Sequence, residues 1–458
     1  MTVYALTKTL NSITFLLLLF LHEHIFAQFD YSHDCPMLKG FHKNFLFGVA
    51  TSAYQIEGDN QNDWTEWEKK AKTIGRLTPC GKATDHWNRY EEDFLLLREL
   101  GVNAYRFSLE WSRIEPKPGE FNQEALQRYL DMVLLLKKLG IEPVVTLHHF
   151  TNPLWLHTNT PWHTEKSIER FARYAEKVIS TLSPEVKYWI TINEPVVFIL
   201  LGYIDGGNPP GFKDSKMAFY ALKNLLLAHQ KASEIIRHYS PEAKIGIAHN
   251  MMKISPARIL NPLDLYLTRH ADRFYNWMLV DAFAYNILNY RFFSVFRKRE
   301  KLNLRNTIDF LGINYYTRMY FKFDLFKPFH LSFSSLDKSK NGLSDMRWEI
   351  YPEGLEFILN RIYGKLHLPI IITENGIADR EDKRRINFIT DHLKVVKRCQ
   401  KNIPLDGYFY WSLLDNYEWL LGFEPRFGLY EVDYQTFERK KRKSAGYLAK
   451  LARGEIEI

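Results

Sequence analysis

From residue 45 onward, short apolar, β-branched or aromatic runs alternate with longer stretches in which apolar positions recur every three to four residues. The short runs predict strands over Phe45–Ala50, Val102–Ser108, Pro143–His148, Val186–Asn193, Lys244–Asn250, Ile308–Tyr315, Leu368–Thr373 and Leu405–Ser412. The periodic stretches predict helices over Asp85–Leu100, Asn122–Leu139, Glu165–Leu182, Lys213–Tyr239, Leu265–Tyr290, Glu353–Tyr363 and Arg384–Gln400, with an eighth near Arg439–Ala452. Gly101 and Gly140 directly follow helical runs, where a C-terminal glycine cap belongs. Asp85 and Asn122 stand at N-cap positions. The strands are nearly continuous apolar runs (VVTL, YWITI, IIIT) rather than alternations, so both faces are expected to be buried, as in a parallel sheet covered by helices. Eight strand–helix units predict an α/β fold, a closed (β/α)8 TIM barrel. Such a barrel needs about 250 residues. The remaining length is assigned to long loops over 51–83, 151–164, 251–264 and 317–352, within one domain spanning 28–458.

Residues 1–27 read differently. Ile13–Leu21 is an uncharged apolar run, preceded by Lys8 and followed by Ile25-Phe26-Ala27-Gln28. A basic start, a short apolar run and a small residue before a cut after Ala27 make a signal-peptide pattern. It implies a secreted or periplasmic protein. The rival is an uncleaved extension or misassigned start codon, with a cytoplasmic location. The run is too short for a membrane span, which needs about 20 apolar residues.

Composition then narrows the function classes. At 46% hydrophobic and 25% charged, the 458 residues describe an ordinary folded protein. The net charge of +8 invites a nucleic-acid reading. The densest basic runs, Arg297-Lys298-Arg299 and Arg439 to Lys443, fall where helices are expected, which makes them solvated faces. No nucleic-acid-binding motif accompanies them. Three cysteines, Cys35, Cys80 and Cys399, without a C-x-x-C pair, provide neither a disulfide framework nor a structural zinc site. One disulfide stays open for an exported chain. No H-E-x-x-H, phosphate loop or dinucleotide fingerprint points to a metal or organic cofactor.

A barrel enzyme carries its site at the C-terminal ends of its strands. Here those ends hold Gln55 and Glu57 after strand 1, Arg106 on strand 2, His148-His149 on strand 3 and Asn193-Glu194 on strand 4. Strand 6 ends at Asn314-Tyr315-Tyr316, strand 7 at Glu374-Asn375, and strand 8 at Trp411, with Glu418-Trp419 beyond. Two acids on strands 4 and 7 face each other across one mouth. One protonated and one ionised carboxyl suit glycosidic bond cleavage. Amide, imidazole and carboxylate groups suit sugar hydroxyls, and tryptophan suits the sugar's C–H face.

Five segments, in order, then carry a resemblance. Thr191-Ile192-Asn193-Glu194-Pro195 and Ile372-Thr373-Glu374-Asn375-Gly376 resemble the two carboxylate motifs of the family 1 glycoside hydrolases, the β-glucosidase family. Residues 45–58 are similar to that family's N-terminal signature, and residues 311–316 and 410–419 match as well. The resemblance runs from about Phe45 to Gly446. It implies a retaining β-glycosidase acting on O-linked β-glucosides, with β-galactosides and β-fucosides as further substrates, and without a cofactor. It implies Glu194 as general acid/base and Glu374 as nucleophile. Arg106 and Tyr316 would hold Glu374 ionised, with Asn314 supporting them. Asn193 would hold the sugar 2-hydroxyl. Gln55, His149, Glu418 and Trp419 would contact other ring hydroxyls, and Trp411 would form the platform under the sugar. A retaining site implies carboxyls about 5 Å apart. Burial and the charge of Glu374 are expected to raise the pKa of Glu194.

Three contrasts with relatives and two rivals stand beside this. A carboxylate at Glu418 disfavours a 6-phosphorylated sugar, and Glu194 separates the chain from thioglucosidases that lack the acid/base. Phe150-Thr151-Asn152-Pro153 departs from the Trp-Asp-Leu-Pro of many relatives, and His148 is expected to pack on the barrel wall. The rivals are a transglycosidase on the same site and a carbohydrate-binding pseudoenzyme. The sugar preference, the aglycone and the oligomeric state stay open.

Overall fold

Eight strands close into an all-parallel barrel: β1 (Leu46–Ala50), β2 (Ala104–Ser108), β3 (Glu142–His148), β4 (Tyr188–Asn193), β5 (Lys244–Asn250), β6 (Phe310–Asn314), β7 (Ile370–Asn375) and β8 (Leu405–Trp411). Each strand pairs with its sequence neighbours, and β8 closes on β1. The structure is a computed structural model and describes residues 38–73, 78–323 and 341–458. The expected signal segment and Cys35 lie outside them.

Continuous apolar strands bury both faces, as the sequence pattern requires. Toward the barrel axis, Leu46, Val144, Ile190, Phe310, Ile371 and Phe409 fill the interior. Outward, the strands pack against α1 (His86–Leu100), α2 (Gln123–Lys138), α3 (Lys166–Leu182), α4 (Ser215–Tyr239), α5 (Met278–Tyr285), α6 (Pro352–Leu366), α7 (Arg385–Cys399) and α8 (Lys443–Ala452). Gly101 and Gly140 adopt positive φ after their helices, 68° and 73°, as C-caps do. Asn122 caps α2 by accepting from the Ala125 N–H at 3.1 Å. Asp85 occupies the N-cap of α1 but makes no capping bond. Its carboxylate instead takes Asn88 and Arg89 side chains.

Three expectations need correction. The helix expected over Leu265–Tyr290 runs from Pro262 through a π-helical turn at Arg273–Trp277 and stops at Tyr285, where Asn286 turns left-handed at φ 55°. The residues that follow form an antiparallel hairpin, Ile287–Phe292 with Phe296–Lys301, so Arg297-Lys298-Arg299 lies on a strand, not on a helix. The last helix begins at Lys443, because Arg439–Lys441 pairs as a strand with Tyr430–Val432. Much of that second basic run is tied into the fold: Arg439 pairs with Asp93, Lys441 with Glu99, and Arg442 with Asp415. Cys80 and Cys399 are buried free thiols. Among the described residues, no helix is long and apolar enough to cross a membrane.

Candidate active site

The ladder breaks at two strand ends. β4 shifts register against β5 between Ile190 and Asn193, and β7 shifts against β6 between Ile372 and Glu374. Such irregularities re-aim side chains next to functional sites. Immediately after β4, Glu194 adopts a left-handed backbone, φ 49° and ψ 54°, a conformation uncommon for any residue but glycine. Its N–H still donates to the Ala248 carbonyl at 2.8 Å, which pins the turn to β5. After β7, the chain at Gly376 runs so close to the Trp411 carbonyl that a β-carbon would collide with it.

The two acids share one cavity of about 630 Å³ but have different surroundings. Glu374 Oε1 accepts from Arg106 Nη1 at 2.6 Å, and its Oε2 accepts from the Tyr316 hydroxyl at 2.6 Å. Glu194 Oε1 accepts only from neutral amides, Asn314 Nδ2 at 2.6 Å and Asn250 Nδ2 at 2.9 Å. Burial, then the charge of Glu374, pushes the Glu194 carboxyl up to about 7. Burial and then Glu374 hold the Tyr316 hydroxyl well above its ordinary range, so it stays a donor.

Arg106 organises the floor. Its Nη1 also donates to the Thr373 carbonyl at 3.0 Å, and its Nη2 donates to Asn193 Oδ1 at 2.7 Å. Asn314 bridges the two halves, donating to Asn193 Oδ1 at 3.2 Å while its Oδ1 accepts from Thr373 Oγ1 at 2.7 Å. The structure therefore brings Gln55, His149, Asn193, Glu194, Tyr316, Glu374, Trp411, Glu418 and Trp419 to the cavity wall. Arg106 and Asn314 reach the acids from within the barrel.

The opposite wall is aromatic. The His149 ring lies parallel to Trp411 (6.1 Å, 14°) and to Trp419 (6.3 Å, 11°), and Trp419 stacks on Tyr54 at 5.8 Å. Burial, then the Arg106 charge, drives the His149 pKa well down, which leaves a neutral ring beside Asn193 Nδ2 at 3.3 Å. Glu418 Oε1 accepts from Trp411 Nε1 at 3.4 Å, and burial pushes its carboxyl up to about 8. Gln55 is anchored by its amide, which donates to the Tyr417 carbonyl at 2.7 Å and to Asn416 Oδ1 at 3.0 Å.

Four residues at the strand ends turn elsewhere: the Tyr315 hydroxyl donates to the Tyr351 carbonyl, and Asn375 donates to the Tyr315 carbonyl at 2.6 Å while accepting from the Tyr408 hydroxyl at 2.8 Å. Glu57 accepts from Tyr129 and Arg113 outside the cavity. His148 bonds to Asn152 Oδ1 at 3.0 Å and packs edge-on against Trp162, within the barrel wall. One residue was missed. Asn250 closes β5, a strand-end position like those of the other site residues, and its amide lies on Glu194. The hydroxyl of Tyr275, on the π-helical turn, donates to Asn250 Oδ1 at 2.7 Å. No group of three metal-ligating side chains occurs among the described residues.

Comparison with known proteins places this arrangement. The family model described as glycosyl hydrolase family 1 matches residues 37–456. The chain belongs to glycosyl hydrolase family 1. Among the relatives of this family 1 enzyme is β-glucosidase A of Thermotoga maritima, 35% identical over 441 residues, covering 90% of this chain and 97% of that one. Among solved structures, the β-glycosidase from Pyrococcus horikoshii superposes with a TM-score of 0.82 at 39% identity, covering 91% and 95% of the two chains. The Thermotoga maritima β-glucosidase in complex with glucoimidazole gives 0.81 at 33% identity, covering 90% and 98%. The chain is a glycoside hydrolase of the β-glycosidase type, and the family's mechanism is retaining.

Proposed function

We propose that this family 1 enzyme hydrolyses O-linked β-D-glucosides through a covalent intermediate on Glu374, with Glu194 as acid and then base. The single observation carrying this reading is the contrast between the two carboxyls: one faces a cation and a phenol, the other faces only amides and has its pKa pushed to about 7. Glu374 attacks the anomeric carbon. The bond from that carbon to the aglycone oxygen breaks, and Glu194 delivers a proton to the departing oxygen. The ester that forms neutralises Glu374, which removes one cause of the raised Glu194 pKa. Glu194 is then ionised and takes a proton from water as the water oxygen attacks the same carbon. The ester bond breaks, and the sugar leaves with its original anomeric configuration.

Asn193, oriented by Arg106 and Asn314, would hold the 2-hydroxyl, a contact that strengthens in the transition state. Trp411 is proposed as the platform under the ring. His149, Gln55, Glu418 and Trp419 would meet the remaining hydroxyls. No lysine or arginine stands in the cavity lining among the described residues, which favours a sugar without a phosphate. That is a firmer ground than the charge of Glu418, because burial pushes its carboxyl up to about 8. The test is a panel of nitrophenyl β-glycosides: glucoside, galactoside, fucoside, mannoside and 6-phosphoglucoside. The glucoside is expected to be turned over fastest and the 6-phosphoglucoside slowest. Activity on none of them, with folded protein, contradicts the reading.

The N-terminal apolar run supports export, which sequencing the N-terminus of protein recovered from the secreting cell's exterior would test.

A further inference from the structure

The barrel carries a second cavity at its other end. Where the strands begin, opposite the mouth that holds the two acids, lies a pocket of about 660 Å³. Four lysines line it: Lys43 before β1, Lys137 near the end of α2, Lys187 immediately before β4 and Lys244 at the start of β5. Two carboxyls share the lining, Glu142 at the start of β3 and Asp406 in β8. The mouth is the reverse, with no lysine or arginine in its lining among the described residues.

The lysines are not consumed by those carboxyls. Glu142 Oε2 has Lys137 Nζ only at 4.0 Å, and Asp406 Oδ1 has His42 Nε2 at 3.9 Å. Among the described residues, Lys43, Lys187 and Lys244 form no ion pair with a carboxylate. Lys187 instead lies over the Tyr188 ring at 5.5 Å. Burial pushes both carboxyls up, which disfavours their charged forms. Glu142 Oε1 is shut off from solvent and has no hydrogen-bond partner among the described residues. A buried polar atom in that state costs free energy until a donor reaches it.

We propose that this pocket is a second ligand site, which takes a small oxyanion carrying two negative charges and at least one hydroxyl. Four ammonium groups against two carboxyls leave an excess of two positive charges, which a dianion balances. A concave, low-dielectric wall focuses that field. Ammonium groups on flexible stems meet either a phosphate or a carboxylate as point charges. The ligand's hydroxyl supplies the donor that Glu142 Oε1 lacks.

The test is titration calorimetry of the full chain with malate, glycerol 3-phosphate and succinate, which is malate without its hydroxyl. One site per chain, with Kd of about 1 mM or below, is expected for malate or glycerol 3-phosphate. The tighter of the two tells carboxylate from phosphate. Succinate is expected to bind at least about threefold more weakly than that ligand. Lys187→Gln combined with Lys244→Gln is expected to weaken binding at least about tenfold. Lys216→Gln combined with Lys231→Gln, which removes the same charge from α4 outside the pocket, is expected to leave it within about twofold. Hydrolysis of nitrophenyl β-glucoside, followed in the same samples, is expected to show no competition by the anion. Several results overturn the proposal: no binding to folded protein, succinate as tight as its hydroxylated counterparts, equal effects in the two double variants, or an anion that competes with the glucoside and so sits at the mouth.

Discussion

Arg106 Nη1 lies 2.6 Å from Glu374 Oε1, and both side chains are almost fully withdrawn from solvent, at 1% and 5% exposure. Removing one member of such a pair strands the other charge in a low-dielectric interior, at a cost of about 3–5 kcal/mol. Arg106→Met is therefore expected to lower unfolding free energy by about that much and kcat by about 10³-fold or more, because Asn193 loses one of its two anchors as well. Adding Glu374→Gln should recover part of the stability and none of the activity. Denaturant unfolding of the single and double variants, with kinetics alongside, measures both. A single variant as stable as the parent would show that the pair holds no uncompensated charge.

Glu374→Gly removes the proposed nucleophile and leaves a space for a small anion. Turnover should drop by about 10⁴-fold or more. Added azide or formate should restore hydrolysis of activated aryl glycosides, with azide giving a glycosyl azide of inverted configuration. Normal activity, or an inactive variant that no anion rescues, counts against the assignment.

Glu194 titrates near 7 in the folded chain and near 4.3 when unfolded, so the fold holds its proton more tightly. Two consequences follow in opposite experiments. The first step needs the protonated acid, so kcat/KM should fall tenfold per pH unit above about 7. In stability, the contribution of this proton is fully present below about pH 4 and is lost as pH rises through about 7, amounting to about 4 kcal/mol. Glu194→Gln should accordingly abolish the alkaline limb and unfold at higher denaturant than the parent at pH 8. The difference should vanish near pH 4. Equal stability at pH 8 would mean that burial does not disfavour the charge.

Asn250 tunes the same carboxyl. Its amide favours the ionised form, and Tyr275 holds the amide in place. Asn250→Ala should move the alkaline limb of kcat/KM upward by up to about one unit, the worth of one hydrogen bond to a charged group. Tyr275→Phe should move it less, in the same direction. A changed kcat with an unmoved pH profile would point to a packing role alone.

The barrel was legible because doubly buried strands leave an unbroken apolar signature and because each βα unit repeats it. The hairpin after Tyr285 was not: Ile287-Leu288-Asn289-Tyr290 continues the apolar rhythm of the helix, and only Asn286, in a left-handed conformation, ends it. The strand ends led to the cavity residues because a barrel brings its C-terminal ends together whatever their spacing. The same rule read at β5 would have led to Asn250. Glu57 obeyed the rule in sequence and broke it in space, because Arg113 and Tyr129 draw it aside. The basic pocket had no local signature at all. Its lysines lie far apart in the chain and meet because a closed barrel gathers the starts of its strands.

The claim at the centre is that Glu374 carries the sugar during turnover. A 2-deoxy-2-fluoroglucoside with a good leaving group slows release of that intermediate, so the intact enzyme can be trapped, digested and weighed. One sugar per chain, on the peptide containing Ile372-Thr373-Glu374-Asn375, is the predicted result. A label on the Glu194 peptide would contradict the account, as would an enzyme that turns over glucosides while never acquiring a label.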